Sequence, residues 1–205
     1  MDHADQKVVN AAVATLGAIS NGAISQTRAI LGSGALEKFK DLLEHVDKKI
    51  VMRTLLALSN VAADGRDHIK AVIDAGIVPM AITVLNKGEP ETAKDAVWLL
   101  RNMALGGNID QIRYLVDVGI IPAICGVLTP EHVDFLEQSL KCIEVFLRIG
   151  QNDAAMSGKQ NRNAQIMTAC GGLAKLQSLT KCQEEDVQPL QMTISDLLSR
   201  YFQNQ

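Results

Sequence analysis

The chain is predicted to be all-α, a right-handed α-solenoid of stacked three-helix repeats. Two observations carry this expectation. Ala, Leu, Ile and Val dominate a chain with only 3% aromatic residues, which suits close helix-on-helix packing better than a sheet sandwich. Four segments also resemble one another at a nearly constant spacing, the mark of a repeat array.

The resembling segments are Ser33-Gly-Ala-Leu-Glu-Lys-Phe-Lys-Asp-Leu-Leu43, Ala75-Gly-Ile-Val-Pro-Met-Ala-Ile-Thr-Val-Leu85, Val118-Gly-Ile-Ile-Pro-Ala-Ile-Cys-Gly-Val-Leu128 and Gly171-Gly-Leu-Ala-Lys-Leu-Gln-Ser-Leu179. Their glycines Gly34, Gly76, Gly119 and Gly172 lie 42, 43 and 53 residues apart, an armadillo-length period with an insertion in the last interval. Each follows a short apolar helix pattern, such as Ile69, Val72 and Ile73, and is expected to end that helix with positive φ. Pro79 and Pro122 then fall in the first turn of the next helix, where the missing amide donor costs nothing.

A third, longer helix closes each unit, at about Gln6 to Asn21, Lys48 to Ala62, Glu91 to Leu105 and Val133 to Ile149, with a last one near Val187 to Phe202. Within the Glu91 helix, Ala93, Val97, Leu100 and Ala104 follow the spacing of a core-facing stripe. The boundaries that follow are a partial repeat over 1–22, repeats over 23–63, 64–106 and 107–150, an insertion loop over 151–163 and a terminal repeat over 164–205, together one domain. The loop contains Ser157-Gly158-Lys159, but a phosphate loop needs a strand before it and a fuller glycine pattern. Because the chain opens on a third-type helix, with its core stripe uncovered, a fragment of a longer array is expected.

Composition narrows the function. With 205 residues, 47% of them apolar, the chain can bury a continuous core. Its net charge of −3 offers no general attraction to phosphate, so no nucleic-acid partner is expected. No leader pattern and no apolar run of the roughly 18 residues a span needs is found, so no membrane insertion is expected. Cys125, Cys142, Cys170 and Cys182 are widely separated and read as buried reduced thiols rather than metal ligands. His3, His45, His68 and His132 sit at different repeat phases and form no catalytic grouping; His68, near a helix start, is expected in solvent. Neither enzyme, metal nor cofactor is anticipated.

Asn21, Asn60 and Asn102 recur at one phase of three successive long helices, in Ile19-Ser-Asn21, Leu58-Ser-Asn60 and Leu100-Arg-Asn102. Asparagine is a poor mid-helix residue, so the register suggests a row of amides able to hold the backbone of an extended peptide by donating and accepting at once. One turn before Asn102 stands Trp98, whose ring can attract a lysine or arginine by roughly 0.5 to 2 kcal/mol. Asp95 lies three residues further back on the same stripe. Two plainer readings stand beside this: Trp98 as a core residue, and the asparagines as ties to the neighbouring repeat.

At these residues the chain resembles the C-terminal half of importin-α, the adaptor that carries basic nuclear localisation signals to the import receptor. The likeness is strongest from Trp98 through Asn102, Gly106-Gly107, Gln111 to Val116 and Gly119 to Thr129, then Phe146 to Gly150; Cys170 to Lys175 and Tyr201-Phe202 are similar to the family's last repeat. The resemblance implies the third helix of the sixth repeat through the tenth, and with it the minor signal-binding site, at Asn21, Ser59, Asn60, Asp95, Trp98 and Asn102. It also implies a protein of cytoplasm and nucleus. Contact with the import receptor would go through an N-terminal segment absent from this sequence, and with the export receptor through residues beyond Ala164. The chain departs from the family where Leu56 replaces a second tryptophan, Arg53 stands at an acidic position, and Gly17 holds the equivalent place before Asn21. A scaffold for a different, non-signal peptide is the competing expectation, with Arg53 reading an acid.

Overall fold

A computed structural model describes residues 5–87 and 89–202, and every regular element among them is helical. The chain groups into two compact units, the first ending at Ile112 and the second beginning at Arg113. No single helix among the described residues is long and apolar enough to cross a membrane.

The first unit holds α1 (Gln6–Ser20), α2 (Ile24–Gly32), α3 (Ala35–Leu42), α4 (Lys48–Ala63), α5 (Arg66–Asp74), α6 (Ile77–Asn86) and α7 (Pro90–Gly106). Local chemistry sets where these helices begin. Asp5 and Asp47 precede α1 and α4, and each accepts a hydrogen bond from the amide of the residue two places on, at 2.8 Å from Lys7 and 2.9 Å from Lys49; an aspartate there satisfies an amide that the helix itself cannot. Pro90 opens α7, where its ring is already shaped for a first turn. Between α5 and α6 the chain turns by 80° at Gly76, whose φ of 69° only glycine adopts without strain.

Packing then orders the three long helices, with α4 against both α1 and α7. Leu55 and Leu58 on α4 and Leu99, Leu100 and Met103 on α7 are fully buried. Truncating one such leucine to alanine typically costs about 2 to 5 kcal/mol, so this seam is what holds the exposed faces of the long helices side by side.

The helix α8 (Ile109–Asp117) carries the chain from the first unit into the second, which contains α9 (Ile120–Gly126), α10 (Val133–Ser157), α11 (Arg162–Ala169), α12 (Gly172–Leu179) and α13 (Gln191–Phe202). Leu136, Phe146, Met167, Leu176 and Ile194 form its core. Lys175 of α12 donates to the carbonyls of Cys125 at 2.8 Å and Gly126 at 2.7 Å, placing a cation at the carbonyl end of α9, where the helix dipole favours it.

Several expectations are corrected. Residues 151–157, read as loop, continue α10 to Ser157, and only 158–161 are non-helical. The segment is nearly all exposed, so it shows no apolar period; Gln, Ala and Met favour helix regardless, and Gly158 with φ 67° stops it. In the last repeat the left-handed glycine is Gly171, φ 81°, not Gly172. Gly172 instead opens α12 where an added Cβ would stand 2.3 Å from the Cys125 sulfur, so its bare backbone permits close packing on α9. His68 is buried, because it shares the inward face of α5 with Ile69 and Val72. Cys125 and Cys142 are buried as expected, whereas Cys170 is exposed and Cys182 half-exposed. The last helix begins at Gln191 after a short 3-10 turn at Gln188–Leu190. His3 lies outside the described residues.

Candidate peptide groove

The residues picked from the sequence all lie in the first unit. On α4 the surface stripe is exposed Arg53 and Leu56 with half-buried Asn60; on α7 it is exposed Trp98 with half-buried Asp95 and Asn102. Each α7 residue stands 42 positions after its α4 counterpart, and the spacings of three and four place every trio on one helical face. Asn21 sits at the C-terminal cap of α1 rather than within it, where asparagine is an ordinary residue, so the argument from poor helix propensity applies to Asn60 and Asn102 alone.

Those two asparagines tie the long helices together. Asn60 Nδ2 donates to the Gly17 carbonyl at 3.5 Å and the Ser20 hydroxyl at 3.3 Å. Asn102 Nδ2 donates to the Ser59 carbonyl at 3.1 Å and its hydroxyl at 3.0 Å. Ser59 is buried and therefore acts on the surface only by holding Asn102. The tie to the neighbouring repeat is thus present at both positions, and it uses the donor half of each amide. The side-chain acceptor of Asn60 has no partner among the described residues, and neither does the side-chain amide of Asn21.

Trp98 is 36% exposed and Leu56 49%, so both form walls on the surface rather than core. Over the Trp98 ring lies Arg101, its guanidinium carbon 5.6 Å from the ring centroid. The same side chain donates to Asn102 Oδ1 at 2.9 Å, while its buried Nε has no partner. An internal cation therefore occupies the two groups that the sequence assigned to a ligand. A sequence signal for it existed: serine precedes Asn21 and Asn60, but arginine precedes Asn102.

Asp95 lies half-buried beside this pair without a hydrogen bond or ion pair among the described residues. Burial pushes its pKa up to about 6, with Lys94 pulling slightly the other way, because a desolvated carboxylate resists charge. A ligand cation would reverse that cost.

Between α1 and α4 opens a cleft of about 330 Å3 lined by Val13, Gly17, Asn21, Arg53, Leu56 and Asn60. Arg53 Nη1 donates to the backbone and side-chain oxygens of Asn10, a partner that sequence reasoning did not single out. No carboxylate pairs with Arg53 among the described residues.

This arrangement, long helices aligning part-exposed side chains beside pairs of short helices, is the armadillo-repeat fold. Residues 65–105 match the family model described as Armadillo/beta-catenin-like repeat. A designed armadillo repeat protein in complex with the peptide (KR)4 superimposes with a TM-score of 0.78 at 23% identity, over 95% of this chain and 77% of that one. Computationally designed armadillo repeat proteins for modular peptide recognition give 0.74 at 23% identity, over 93% and 75%.

In sequence the chain is similar to importin subunits alpha. Importin subunit alpha-3 of Arabidopsis thaliana is 32% identical over 89% of this chain and 43% of its own length. Importin subunit alpha-1b of Oryza sativa subsp. japonica is 30% identical over 85% and 41%, and importin subunit alpha-8 of Arabidopsis thaliana 28% over 86% and 40%. The chain thus spans about two fifths of the length of these relatives.

Proposed function

We propose that the chain is a non-enzymatic adaptor module that holds an extended polypeptide across the exposed faces of α1, α4 and α7, as the cargo-binding part of a nuclear import adaptor working in cytoplasm and nucleus. The observation that carries this reading is the aligned stripe pair, with a part-exposed tryptophan, a desolvated carboxylate without a partner, and amide oxygens on one surface. Asn60 Oδ1 accepts from a peptide N–H; Asp95 takes the charge of a lysine or arginine whose stem lies along Trp98. Similarity to importin subunits alpha supports a basic nuclear localisation signal as the ligand. Binding at this minor site requires Arg101 to leave Trp98, which a long, rotatable side chain allows.

A second reading, a scaffold for a different, non-signal peptide, is favoured by Arg53 and Leu56, which remove one acidic and one aromatic contact that a purely basic ligand would use. Trp98 is the chain's single tryptophan, so its fluorescence reports this surface alone. Titration with a lysine-rich peptide should shift the emission and saturate. Unchanged emission at millimolar peptide, alongside calorimetry showing no heat, removes the proposal.

A further inference from the structure

We infer that the cleft between α1 and α4 takes an acidic side chain, so that the preferred ligand is an extended peptide of mixed charge: a glutamate or aspartate at Arg53, and a lysine or arginine at Asp95 about three residues along. This inference rests on the peptide-groove reading and names its ligand more closely.

Arg53 uses only Nη1 on Asn10, which leaves its remaining N–H donors for a carboxylate; the planar fork of a guanidinium matches a carboxylate with two parallel bonds. Elsewhere the protein supplies such partners itself: Arg113 pairs with Asp153 at 2.6 Å, Arg162 with Asp117 at 2.8 Å and Arg200 with Glu144 at 3.2 Å. On the groove stripe, by contrast, no carboxylate among the described residues meets Arg53. The cleft has room for a short side chain, with Gly17 contributing no Cβ to its floor and Val13 and Leu56 giving it apolar walls for methylene groups. Asn21 adds a free amide donor at the rim. A lysine in the same place would meet like charge in a partly desolvated cleft, which opposes it.

The spacing follows from geometry. Packed helices lie about 8 to 10 Å apart, and Arg53 and Asp95 hold equivalent positions on adjoining helices. An extended peptide advances about 3.3 Å per residue, so the two charges it offers should be separated by about three residues.

The test uses the full chain and labelled ten-residue peptides on a Gly-Ala background that carry one lysine, with glutamate or glutamine three residues before or after it. Fluorescence anisotropy should show one glutamate peptide binding about fivefold tighter than its glutamine twin, the size of a modest ion pair. Arg53→Gln should erase that difference and Arg53→Glu should reverse it, with circular dichroism confirming that both variants fold. A glutamate preference below twofold at both spacings, or one that survives Arg53→Gln, overturns this inference while leaving lysine binding at Trp98 standing. If no lysine peptide binds at all, the groove reading falls and this inference with it.

Discussion

The α4 and α7 stripes share a scaffold and differ in chemistry. Leu56 and Trp98 are both exposed walls, and Asn60 and Asn102 both tie back to the preceding long helix, yet Arg53 stands where α7 has Asp95. What is common to the two is what the stacking requires; what differs is free to read a ligand. The difference teaches that repeat identity and ligand identity are carried by separate positions on one helical face.

Substituting the walls should separate the stripes most. A tryptophan ring offers both apolar area and a cation-attracting face, whereas leucine offers area alone. Trp98→Ala should therefore weaken a lysine-bearing peptide about tenfold or more, and Leu56→Ala about threefold, on the scale of partly buried apolar groups; calorimetry measures both. Equal losses would mean that the two slots are chemically alike. The ties should differ next. Asn102 makes two bonds near 3.0 Å and Asn60 two near 3.4 Å, so in urea melts Asn102→Ala should lose about 1 to 2 kcal/mol and Asn60→Ala less than about 1 kcal/mol.

Much of the scaffold was legible in the sequence because it rests on local chemistry. Gly34, Gly76 and Gly119 all have positive φ, and Pro79 and Pro122 lie within the first turns of α6 and α9. Where a contact across the chain decides, the reading failed: Gly172 answers to the Cys125 sulfur 2.3 Å from its missing Cβ, and His68 follows the inward face of α5 rather than its distance from the helix start. The candidate groove was legible as residues of shared helical phase but not as a set of bonds. Sequence register placed Asn60 and Asn102 on one phase, yet only the folded chain spends their donors on the preceding long helix and lays Arg101 over Trp98.

Arg101 offers a smaller and sharper test of the α7 stripe. Its guanidinium competes with a ligand cation for the Trp98 face and for Asn102 Oδ1. Arg101→Ala should therefore bind a lysine peptide about three- to fivefold tighter, the range of one exposed cation-π contact. It should also change Trp98 emission before any peptide is added. The α4 stripe has no such occupant at Leu56, so peptide contacts there should be unaffected.

The smallest effect, and the one that separates the stripes by charge, is the pH dependence. With its pKa pushed up to about 6 by burial, Asp95 carries charge at pH 7.5 and largely loses it by pH 5. Lysine-peptide affinity should therefore fall about two- to threefold over that range, as a part-exposed ion pair loses its charge, and Asp95→Asn should flatten the profile. The stability of the free chain moves the other way. Between the unfolded value of 3.8 and about 6, the folded chain binds more protons at Asp95 than the unfolded chain, so Asp95 adds stability as pH falls through that window and removes it as pH rises. Asp153, whose pKa the Arg113 hydrogen bond lowers, has the opposite sign: its contribution is present above the unfolded value and lost in more acidic solution. Melts of Asp95→Asn from pH 4 to 8, and of Asp153→Asn from pH 2 to 5, should thus differ from the parent with opposite slopes against pH, and a flat Asp95→Asn difference would show that Asp95 already has a partner in the free chain.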